Sequence, residues 1–520
     1  MRASSWTTHL KTVLLISKFV FFKGGLMGSY VLAIDQGTTG TTALLIDADS
    51  LEIKAEGSED YPQIYPKPGW VEHDLNQIWA TVKNTVQIAL KNANAKPSEI
   101  MAIGITNQRE TTCAYNKAGT PLANAIVWQD RRTTDFCADH KDSFKNKYTP
   151  KTGLPLDPYF SGSKMKWLLE NVPAVKNATD KNDLRLSTID TFVLYKLTSG
   201  DSFATEPSNA SRTQLLSLET FDWDEELVRF FNVPKSALPK IQDTFGEFGK
   251  TRGLDFLPDG IPVACLFGDQ QSALFGQACL NVGDIKCTYG TGAFLLVNTG
   301  EKRVFSQQGL LTTGAYRYKG KQVYALEGAS YIAGAAVQWL RDNLKLISKS
   351  HEVEALARQV TNLEQMEHLL FFPFFTGIAA PYWVSEAKGA IIGMTRDTSS
   401  AHIARACLDG VALAVNDCVQ AFQRDLGRLN DIKVDGGATA NSLLMQSQAN
   451  FSGKKILRPK NIETTAYGAA LGALVGLGKI QISDVGRLWK LDQEFTPDSG
   501  AHYYSKKADQ WNRTLKRLYL

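Results

Sequence analysis

The chain has 520 residues, of which 43% are hydrophobic and 21% are charged. These values are typical of globular proteins and exclude a disordered or fibrous chain. The formal net charge is +4, with 57 basic and 53 acidic residues, and no long basic run indicates a nucleic-acid or anionic-lipid partner. The length predicts two large domains, or about three of ordinary size.

Cysteine usage bears on the compartment and on metal binding. The seven cysteines are too few, and odd in number, for a disulfide scaffold. No CxxC pair occurs, which argues against zinc-binding and thioredoxin-like sites. The composition therefore predicts a large enzyme of a reducing compartment, and the cytoplasm is the expected location.

The first 26 residues need a separate interpretation. Residues 13–22 are apolar but are interrupted by Lys18, and the run is far shorter than the roughly 20 residues of a membrane helix. We therefore expect no stable membrane insertion. A signal peptide is an alternative, because basic residues precede the apolar run. The favoured interpretation is that Met27 is the start and that residues 1–26 are an extension, poorly ordered or not translated.

Strands and helices alternate in the first hundred residues, which predicts an α/β fold. We expect a strand at 30–34, a Gly-rich turn at 35–42, and further strands at 43–46 and 101–106. Asp74 is a candidate N-cap for an intervening helix. The apolar face predicted for that helix consists of Ile78, Val82, Val86 and Ala89.

A repeated sequence pattern indicates two related halves. Residues 284–298 repeat the order of apolar strand, Gly-Thr turn and apolar strand found at 31–47. A repeat about 250 residues apart suggests two halves of related fold rather than a solenoid, whose period would be about 20–50 residues. The alternative is chance similarity between two hairpins. If the halves are related, their boundary falls near 270–284.

The second half continues the α/β pattern. Residues 400–426 carry apolar side chains at helical spacing, and Gly427 is a candidate stop. A strand at 432–434, the turn DGGA at 435–438 and another helical stretch follow.

Three Gly-rich turns are candidate phosphate-binding elements: DQGTT at 35–39, YGTG at 289–292 and DGGA at 435–438. Glycine lets the backbone N–H groups approach a phosphate closely. Each turn alone could be a plain hairpin. Together, with two in equivalent places of the two halves, they favour a nucleotide held between domains.

Two other phosphate-binding motifs are excluded. Residues 249–251 resemble the end of a P-loop, but Thr244 stands where its first glycine is required, and we expect 243–248 to be a surface turn rather than a strand. The stretch from Gly290 lacks the last glycine of a dinucleotide-binding GxGxxG, because position 295 is Leu295.

Charged residues follow predicted strands beside the turns. Asp35 and Asp269 stand at strand ends, where a carboxylate can hold Mg²⁺ or accept a proton. Arg109 and Glu110 offer a donor fork beside an acceptor, which suits vicinal hydroxyls. The alternatives are a turn-forming role for the aspartates and simple solvation for the Arg-Glu pair.

The sequence resembles the FGGY family of carbohydrate kinases and, within it, the members that phosphorylate glycerol. The matching stretches run from about residue 30 to 470 in family order. They are AIDQGTT (33–39), YPKPGWVEHD (65–74), GITNQRET (104–111), AIVWQDRR (125–132), DPYFSG (157–162), NASRT (209–213), GDQQSALFGQ (268–277), TYGTGAF (288–294), YALEG (324–328), AAPYW (379–383) and VDGGATAN (434–441).

The resemblance implies two actin-like (ribonuclease H-like) α/β domains flanking a central active-site cleft. It implies an N-terminal domain at 27–276 that binds glycerol and a C-terminal domain at 277–520 that binds nucleotide. The implied reaction is ATP- and Mg²⁺-dependent phosphorylation of glycerol to sn-glycerol 3-phosphate, with release of ADP. A homodimer or homotetramer is also expected.

The resemblance also implies residue roles. Asp269 is the expected catalytic base, and Asp35 and Asp269 are the expected Mg²⁺ ligands. The expected glycerol-binding residues are Arg109, Glu110, Trp128, Tyr159, Asp269, Gln270 and Phe294. The expected nucleotide-binding residues are Thr38, Thr39, Gly40, Thr42, Thr291, Gly334, Gln338, Gly437 and Asn441.

The chain departs from the family pattern in two places. Gly40-Thr41-Thr42 replaces a Ser-Ser-Arg, so Thr42 is a weaker nucleotide contact or none. Residues 251–260 lack the loop that binds fructose bisphosphate in some members.

Two other functions are weighed against glycerol phosphorylation. One is a kinase of the same family that acts on a longer polyol or ketose. The other is an actin-like ATPase or nucleotide-switched binding protein, which would have no reason to gather Arg109, Glu110 and Asp269 around a polyol.

Overall fold

The computed structural model describes residues 29–498 and 502–520, so the extension predicted at 1–26 lies outside the described residues. The strands are β1 Tyr30–Gln36, β2 Gly40–Asp47, β3 Ile53–Asp60, β4 Glu72–His73, β5 Ile100–Asn107, β6 Cys113–Asn116, β7 Ala125–Ile126, β8 Leu184–Ser187, β9 Ala204–Thr205, β10 Leu216–Ser217, β11 Asp222–Trp223, β12 Lys240–Ile241, β13 Phe245–Lys250, β14 Pro262–Gly268, β15 Ile285–Tyr289, β16 Ala293–Gly300, β17 Leu311–Tyr318, β18 Lys321–Ser330, β19 Leu370–Phe372, β20 Ala390–Ile392, β21 Ile432–Asp435, β22 Ile456–Pro459 and β23 Leu491–Phe495.

The helices of these parts of the chain are α1 Leu75–Ala93, α2 Thr134–Lys147, α3 Thr149–Thr152, α4 Ser161–Asn171, α5 Pro173–Asp180, α6 Ile189–Leu197, α7 Pro207–Ala210, α8 Glu225–Phe230, α9 Asp269–Gly276, α10 Gly334–Asp342, α11 Glu352–Ala357, α12 Ser400–Leu426, α13 Ser442–Ser452, α14 Thr464–Gly476, α15 Ile482–Leu488 and α16 His502–Tyr519. Short 3₁₀ turns lie at Pro97–Glu99, Ser211–Thr213, Lys235–Ala237, Leu363–Met366 and Gly437–Ala440. No helix in the described ranges is long and apolar enough to cross a membrane.

Two large sheets share one topology. The first has the order β13-β14-β5-β1-β2-β3, and the second has the order β17-β18-β16-β15-β21-β22-β23. In each, an antiparallel hairpin (β1/β2 or β15/β16) is followed outward by an antiparallel strand, and two parallel strands lie on the hairpin's other side. The repeated pattern at 31–47 and 284–298 is therefore a structural repeat. The first turn is shorter than predicted, because β1 extends to Gln36 and β2 begins at Gly40.

The helix predicted after Asp74 is confirmed as α1. The Asp74 carboxylate accepts a hydrogen bond from Asn76 N at 2.8 Å and so caps the helix. The predicted face is buried completely: Ile78, Val82, Val86 and Ala89 all have 0% exposure. Burying one large aliphatic side chain stabilises a fold by about 1.5–3 kcal/mol, so this face fixes α1 on the first sheet.

The predicted helix at 400–426 is confirmed as α12, and it ends at Gly427, which has a positive φ of 75°. The prediction of a surface turn at 243–248 is wrong. Phe245–Lys250 is β13, an edge strand of the first sheet that pairs with β14 through an irregular register. Gly246 and Gly249 have φ values of 153° and 151°, a conformation that glycine adopts easily, so the two glycines permit the irregular edge.

Helices from each half also pack against the sheet of the other half. Helix α14 packs on the first sheet, where Ala470, Leu471 and Leu474 share a core with Val31 and Ala33. Helix α9, which follows β14, contacts strands of both sheets. The predicted boundary between residues 276 and 277 stays a prediction, and the packing shows that chain order alone does not separate the two cores.

Helices α9 and α14 cross closely because they meet through glycines. A Cβ on Gly468 would lie 2.1 Å from Ser272 O, and one on Gly276 would lie 2.2 Å from Thr464 O. Only glycine allows this approach without movement of the backbone. The crossing fixes the start of α9, where Asp269 lies.

Candidate active site

A buried cluster of charged side chains lies where the two sheets meet. Arg109 and Glu110 follow β5, Arg212 lies in the 3₁₀ turn Ser211–Thr213, and Glu327 lies on β18. Arg109 Nη1 donates to Glu327 Oε2 at 2.5 Å, and Arg212 Nε donates to Glu110 Oε1 at 2.5 Å. All four residues are at most 3% exposed. Such pairs are stable in a low-dielectric interior only when each charge is matched.

Burial and pairing act in opposite directions on the two glutamates. Burial raises the pKa of Glu110, and the charges of Arg212 and Arg109 offset only part of that rise. Burial would also raise the pKa of Glu327, but the charges of Arg109 and Arg212 outweigh it and hold the pKa below its usual value. Glu110 also has a positive φ of 60°. A buried non-glycine residue in that conformation is strained, and such strain is often found at functional sites.

Asp269 and Gln270 begin helix α9 beside this cluster. Asp269 Oδ1 lies 3.0 Å from Arg109 Nε in an ion pair and accepts a hydrogen bond from Gln270 N at 2.7 Å. Its other oxygen, Oδ2, has no hydrogen-bond partner within residues 29–498 and 502–520, and the side chain is 29% exposed. Gln270 Oε1 accepts a hydrogen bond from the buried Lys286. The structure thus brings Arg109, Glu110 and Asp269 together as predicted, with one carboxylate oxygen open.

Three aromatic side chains form a wall next to the charged cluster. The Trp128 ring lies edge-on to Tyr159 with centroids 5.6 Å apart, and edge-on to Phe294 with centroids 6.4 Å apart. Trp128 and Tyr159 come from the first half, and Phe294 comes from β16 of the second. Trp128 Nε1 also donates to Thr38 Oγ1 at 2.9 Å. The aromatic wall is therefore bonded to the first Gly-Thr turn.

The first Gly-Thr turn, residues 37–39, is held by its carbonyl groups. Gly37 O accepts from Tyr61 OH at 2.5 Å, from Gln36 Nε2 at 2.9 Å and from Gln108 Nε2 at 3.1 Å. Thr38 O accepts from Gln63 Nε2 at 3.0 Å. Because each carbonyl is fixed, the peptide N–H groups on the opposite side are fixed as well, as a phosphate-binding turn requires.

The remaining residues predicted on this side have different surroundings. Thr39 is exposed, and Gly40 begins β2. Thr42 lies on β2 opposite Asp35, and its Oγ1 forms a hydrogen bond with Ser58 Oγ at 3.1 Å. The Thr42 hydroxyl therefore already has a protein partner.

The second Gly-Thr turn is bonded to the start of α10. Gly334 N donates to Gly290 O at 3.0 Å, and Ala335 N donates to Thr291 O at 3.1 Å. A Cβ on Gly334 would lie 2.6 Å from Gly290 O and 4.0 Å from the Ala438 side chain. The turn, the helix start and the DGGA segment therefore converge in the second half.

The other nucleotide-binding residues predicted in this half lie around that point. Gln338 is exposed one turn along α10, and Gly437 is exposed at the start of its 3₁₀ turn. Asn441 caps α13, since its Oδ1 accepts from Leu444 N at 2.9 Å. The side chains of Gln338 and Asn441 therefore play unequal parts: one is open to a ligand, and the other already caps a helix.

The residues predicted to hold Mg²⁺ fit such an ion. Burial raises the pKa of Asp35 well above its usual value, and the nearby charges of Asp269 and Glu463 raise it further. No group of three or more His, Cys, Asp or Glu side chains in the described ranges could hold a metal by itself. Two carboxylates that repel each other suit Mg²⁺, because it is usually bound by one or two carboxylates and completes its shell with phosphate oxygens and water.

Sequence reasoning missed several members of the site. They are Arg212, Glu327, Gln271, Lys286 and Tyr61. Arg212, Glu327 and Gln271 lie within NASRT, YALEG and GDQQ, stretches that carried the resemblance, but no role followed for them. A usable signal existed for Lys286 and Glu327, because each is a charged residue inside a mostly apolar stretch of its strand, where charge is unexpected unless paired.

Comparison with known proteins agrees with this geometry. Residues 30–276 match the N-terminal domain of the FGGY family of carbohydrate kinases, and residues 285–477 match its C-terminal domain. A glycerol kinase from Bdellovibrio bacteriovorus is 49% identical over 498 residues, which cover 95% of this chain and 100% of the relative. A glycerol kinase from Deinococcus radiodurans is 46% identical over 492 residues, covering 94% of this chain and 97% of the relative.

A solved structure extends the comparison to the fold. The ADP-bound glycerol kinase of Plasmodium falciparum aligns with a TM-score of 0.86 at 36% identity, covering 94% of this chain and 98% of that one. The expected architecture of two actin-like α/β domains is confirmed. The chain belongs to the FGGY family of carbohydrate kinases.

Proposed function

We propose that this protein is a glycerol kinase, which transfers the γ-phosphoryl group of ATP to glycerol and forms sn-glycerol 3-phosphate and ADP. The observation that carries the proposal is the surroundings of Asp269. Its Oδ1 is paired with Arg109 while its Oδ2 is open, and it lies beside a buried Arg-Glu cluster. An acceptor for a hydroxyl proton next to donors and acceptors for neighbouring hydroxyls suits a small polyol.

In the proposed mechanism Asp269 accepts the proton of the terminal hydroxyl while that oxygen attacks the γ-phosphorus. Arg109 and Glu110 bind the hydroxyls, and Gln270 contributes a further polar contact. The aromatic wall of Trp128, Tyr159 and Phe294 would cover the carbon backbone of glycerol. Phosphoryl transfer depends mainly on positioning and on charge stabilisation, so holding both substrates in line is the central task of these side chains.

On the nucleotide side, the peptide N–H groups of Thr38 and Thr39 in the first turn and of Thr291 and Gly292 in the second would bind the phosphates. The N–H groups of Gly37 and Gly290 are already bonded to Gly40 O and Gly292 O within the turns. Thr38, Thr39, Thr291, Gly334, Gln338, Gly437 and Asn441 complete the proposed nucleotide site. Gly40 and Thr42 belong to it more weakly, because the Thr42 hydroxyl is bonded to Ser58. Asp35 and Asp269 would hold Mg²⁺, which when bound supplies positive charge beside the β- and γ-phosphates.

The cellular setting is part of the same proposal. All seven cysteines are buried and unpaired, which supports a reducing compartment and hence the cytoplasm. The homodimer or homotetramer implied by the resemblance stays a prediction that sedimentation velocity would measure.

A coupled assay of ADP release tests the function. Purified protein with ATP and Mg²⁺ should release ADP faster with glycerol than with dihydroxyacetone, xylulose or gluconate. Preference for xylulose or gluconate would favour a sugar kinase acting on longer substrates. ADP release that does not depend on any polyol would favour an actin-like ATPase.

Asp269→Asn tests the base. The amide keeps the shape of the side chain but cannot accept the proton, so kcat with glycerol should fall about 10²–10⁴-fold. Asp243→Asn is the matched control, because Asp243 also pairs with an arginine, Arg317, at 2.7 Å but lies outside the site. A kcat for Asp269→Asn within a few-fold of wild type would show that another group takes the proton.

A further inference from the structure

Glu327 is bonded to two arginines at once. Its Oε2 accepts from Arg109 Nη1 at 2.5 Å, and its Oε1 accepts from Arg109 Nη2 at 3.1 Å. The same Oε1 accepts from Arg212 Nη2 at 3.0 Å. The contact with Arg109 is bidentate, which fixes the plane of the guanidinium as well as its position. Glu327 therefore sets the orientation of Arg109 and also restrains Arg212.

These bonds join the two halves of the molecule. Glu327 lies on β18 of the second sheet, whereas Arg109 and Arg212 belong to the first half. Arg212 in turn donates to Glu110, and Arg109 pairs with Asp269. Arg109, Glu110 and Asp269 are thus each connected to Glu327 directly or through one arginine.

The charge of Glu327 is needed for this arrangement to persist. Arg109 and Arg212 are positive, buried and joined through one carboxylate. Without it, two guanidinium groups would face each other in a low-dielectric region and would repel. Glu327 also lines a cavity together with Tyr159 and Phe294, two members of the aromatic wall. The carboxylate therefore lies next to the aromatic wall as well as to the two arginines.

We propose that Glu327 is a positioning residue for the polyol site, which orients Arg109 and, through Arg212, Glu110 toward the hydroxyls of glycerol. The inference rests on the proposed function. It adds a residue to the polyol site and a link between polyol binding and the contact of the two halves. Because Glu327 comes from the second half, the polyol site of the first half is complete only when β18 packs against it. Polyol binding and the contact between the halves are thereby linked.

Steady-state kinetics of Glu327→Gln tests the inference. The amide retains the shape but loses the charge, so the KM for glycerol should rise about 10- to 100-fold, as expected for the loss of charged hydrogen bonds. The KM for ATP should stay at its wild-type value, because the two nucleotide turns have no bond to Glu327. Equal weakening of both substrates, or no change in either, would overturn the inference.

Two further variants separate positioning from folding. Glu327→Asp keeps the charge on a shorter side chain, so its KM for glycerol should lie between wild type and Glu327→Gln. If Glu327→Gln does not fold, Glu327→Asp provides the test. An unchanged KM for glycerol in Glu327→Asp would then overturn the inference. Asp243→Asn, which breaks another carboxylate-arginine pair between the halves, should change neither KM.

The wild-type protein distinguishes the two levels of failure. If wild type releases no ADP in response to glycerol, the proposed function is wrong and this role for Glu327 falls with it. If wild type responds to glycerol and the variants keep its KM, only the role of Glu327 is wrong.

Discussion

Acidification should destabilise the protein through His73, which lies on β4 at 0% exposure. Its Nε2 is 2.6 Å from Gln63 Oε1, and its Nδ1 is 3.4 Å from Gln108 Nε2. Gln63 offers an oxygen, so Nε2 carries the proton, and Nδ1 faces a donor and must stay unprotonated. Burial lowers the pKa of His73 from 6.5 to about 4.

The size of the effect follows from the two pKa values. Below pH 6.5 the unfolded chain binds a proton at His73, whereas the folded protein does not until the pH approaches 4. The contribution of His73 to the free energy of unfolding is therefore lost as the pH falls from 6.5 to 4, and this contribution changes no further below pH 4. The full loss is about 3 kcal/mol, since one pKa unit corresponds to 1.36 kcal/mol, and about 2 kcal/mol of it should be reached at pH 5.

Urea unfolding of wild type and His73→Gln at pH 7.5 and pH 5.0 measures this loss. Glutamine can still donate to Gln63 but does not titrate. The variant should therefore lose less unfolding free energy than wild type between pH 7.5 and pH 5.0, so that its stability at pH 5.0 approaches or exceeds that of wild type. The exposed His351 provides the control, because His351→Gln should differ from wild type equally at both pH values. A difference between wild type and His73→Gln that is the same at both pH values would refute the reasoning.

Two further substitutions probe the turn and the helix crossing. Tyr61→Phe removes a hydroxyl that donates to Gly37 O and accepts from Gln36 and Gln108. Urea unfolding should show a loss of about 1–3 kcal/mol in the free energy of unfolding. Kinetics should show a higher KM for ATP and an unchanged KM for glycerol. Gly468→Ala puts a Cβ 2.1 Å from Ser272 O and should destabilise by about 1–3 kcal/mol in thermal unfolding, whereas Gly486→Ala, in α15 with open space around it, should not. Equal effects of the two alanines would show that the crossing is not tight.

Local patterns carried much of the fold. The hairpins after Tyr30 and Ile285 could be predicted because each strand has its own apolar run and each turn its own glycine. Helix α1 could be predicted because cap and apolar face lie within one segment of sequence. Strand β13 was missed because its sequence, FGEFGK, has glycines that are typical of turns, and its pairing with β14 depends on a partner elsewhere in the chain.

The packing of α14 on the first sheet could not be read from sequence either. Its residues are apolar all round, so periodicity predicts burial without saying against which sheet. The site shows the same limit. Arg109 and Glu327 are 218 positions apart, and no local rule pairs them. Residue types near a Gly-rich turn indicate chemistry, but the pairing of buried charges appears only once the two sheets are brought together.

The two sides of the site are held by different kinds of bond, and the difference has a physical reason. The turn at 37–39 is fixed by the neutral side chains Gln36, Tyr61, Gln63 and Gln108. Neutral donors orient its carbonyls while adding no net charge, so the phosphates and their counter-ion set the local charge. The polyol side is fixed by buried charges instead. Glycerol, the proposed substrate, is uncharged. Hydrogen bonds to charged groups are about twice as strong as neutral ones, so its hydroxyls would gain most from Arg109 and Glu110. On the proposed function, a neutral polyol would thus be bound by charged side chains, and a highly charged nucleotide by peptide groups.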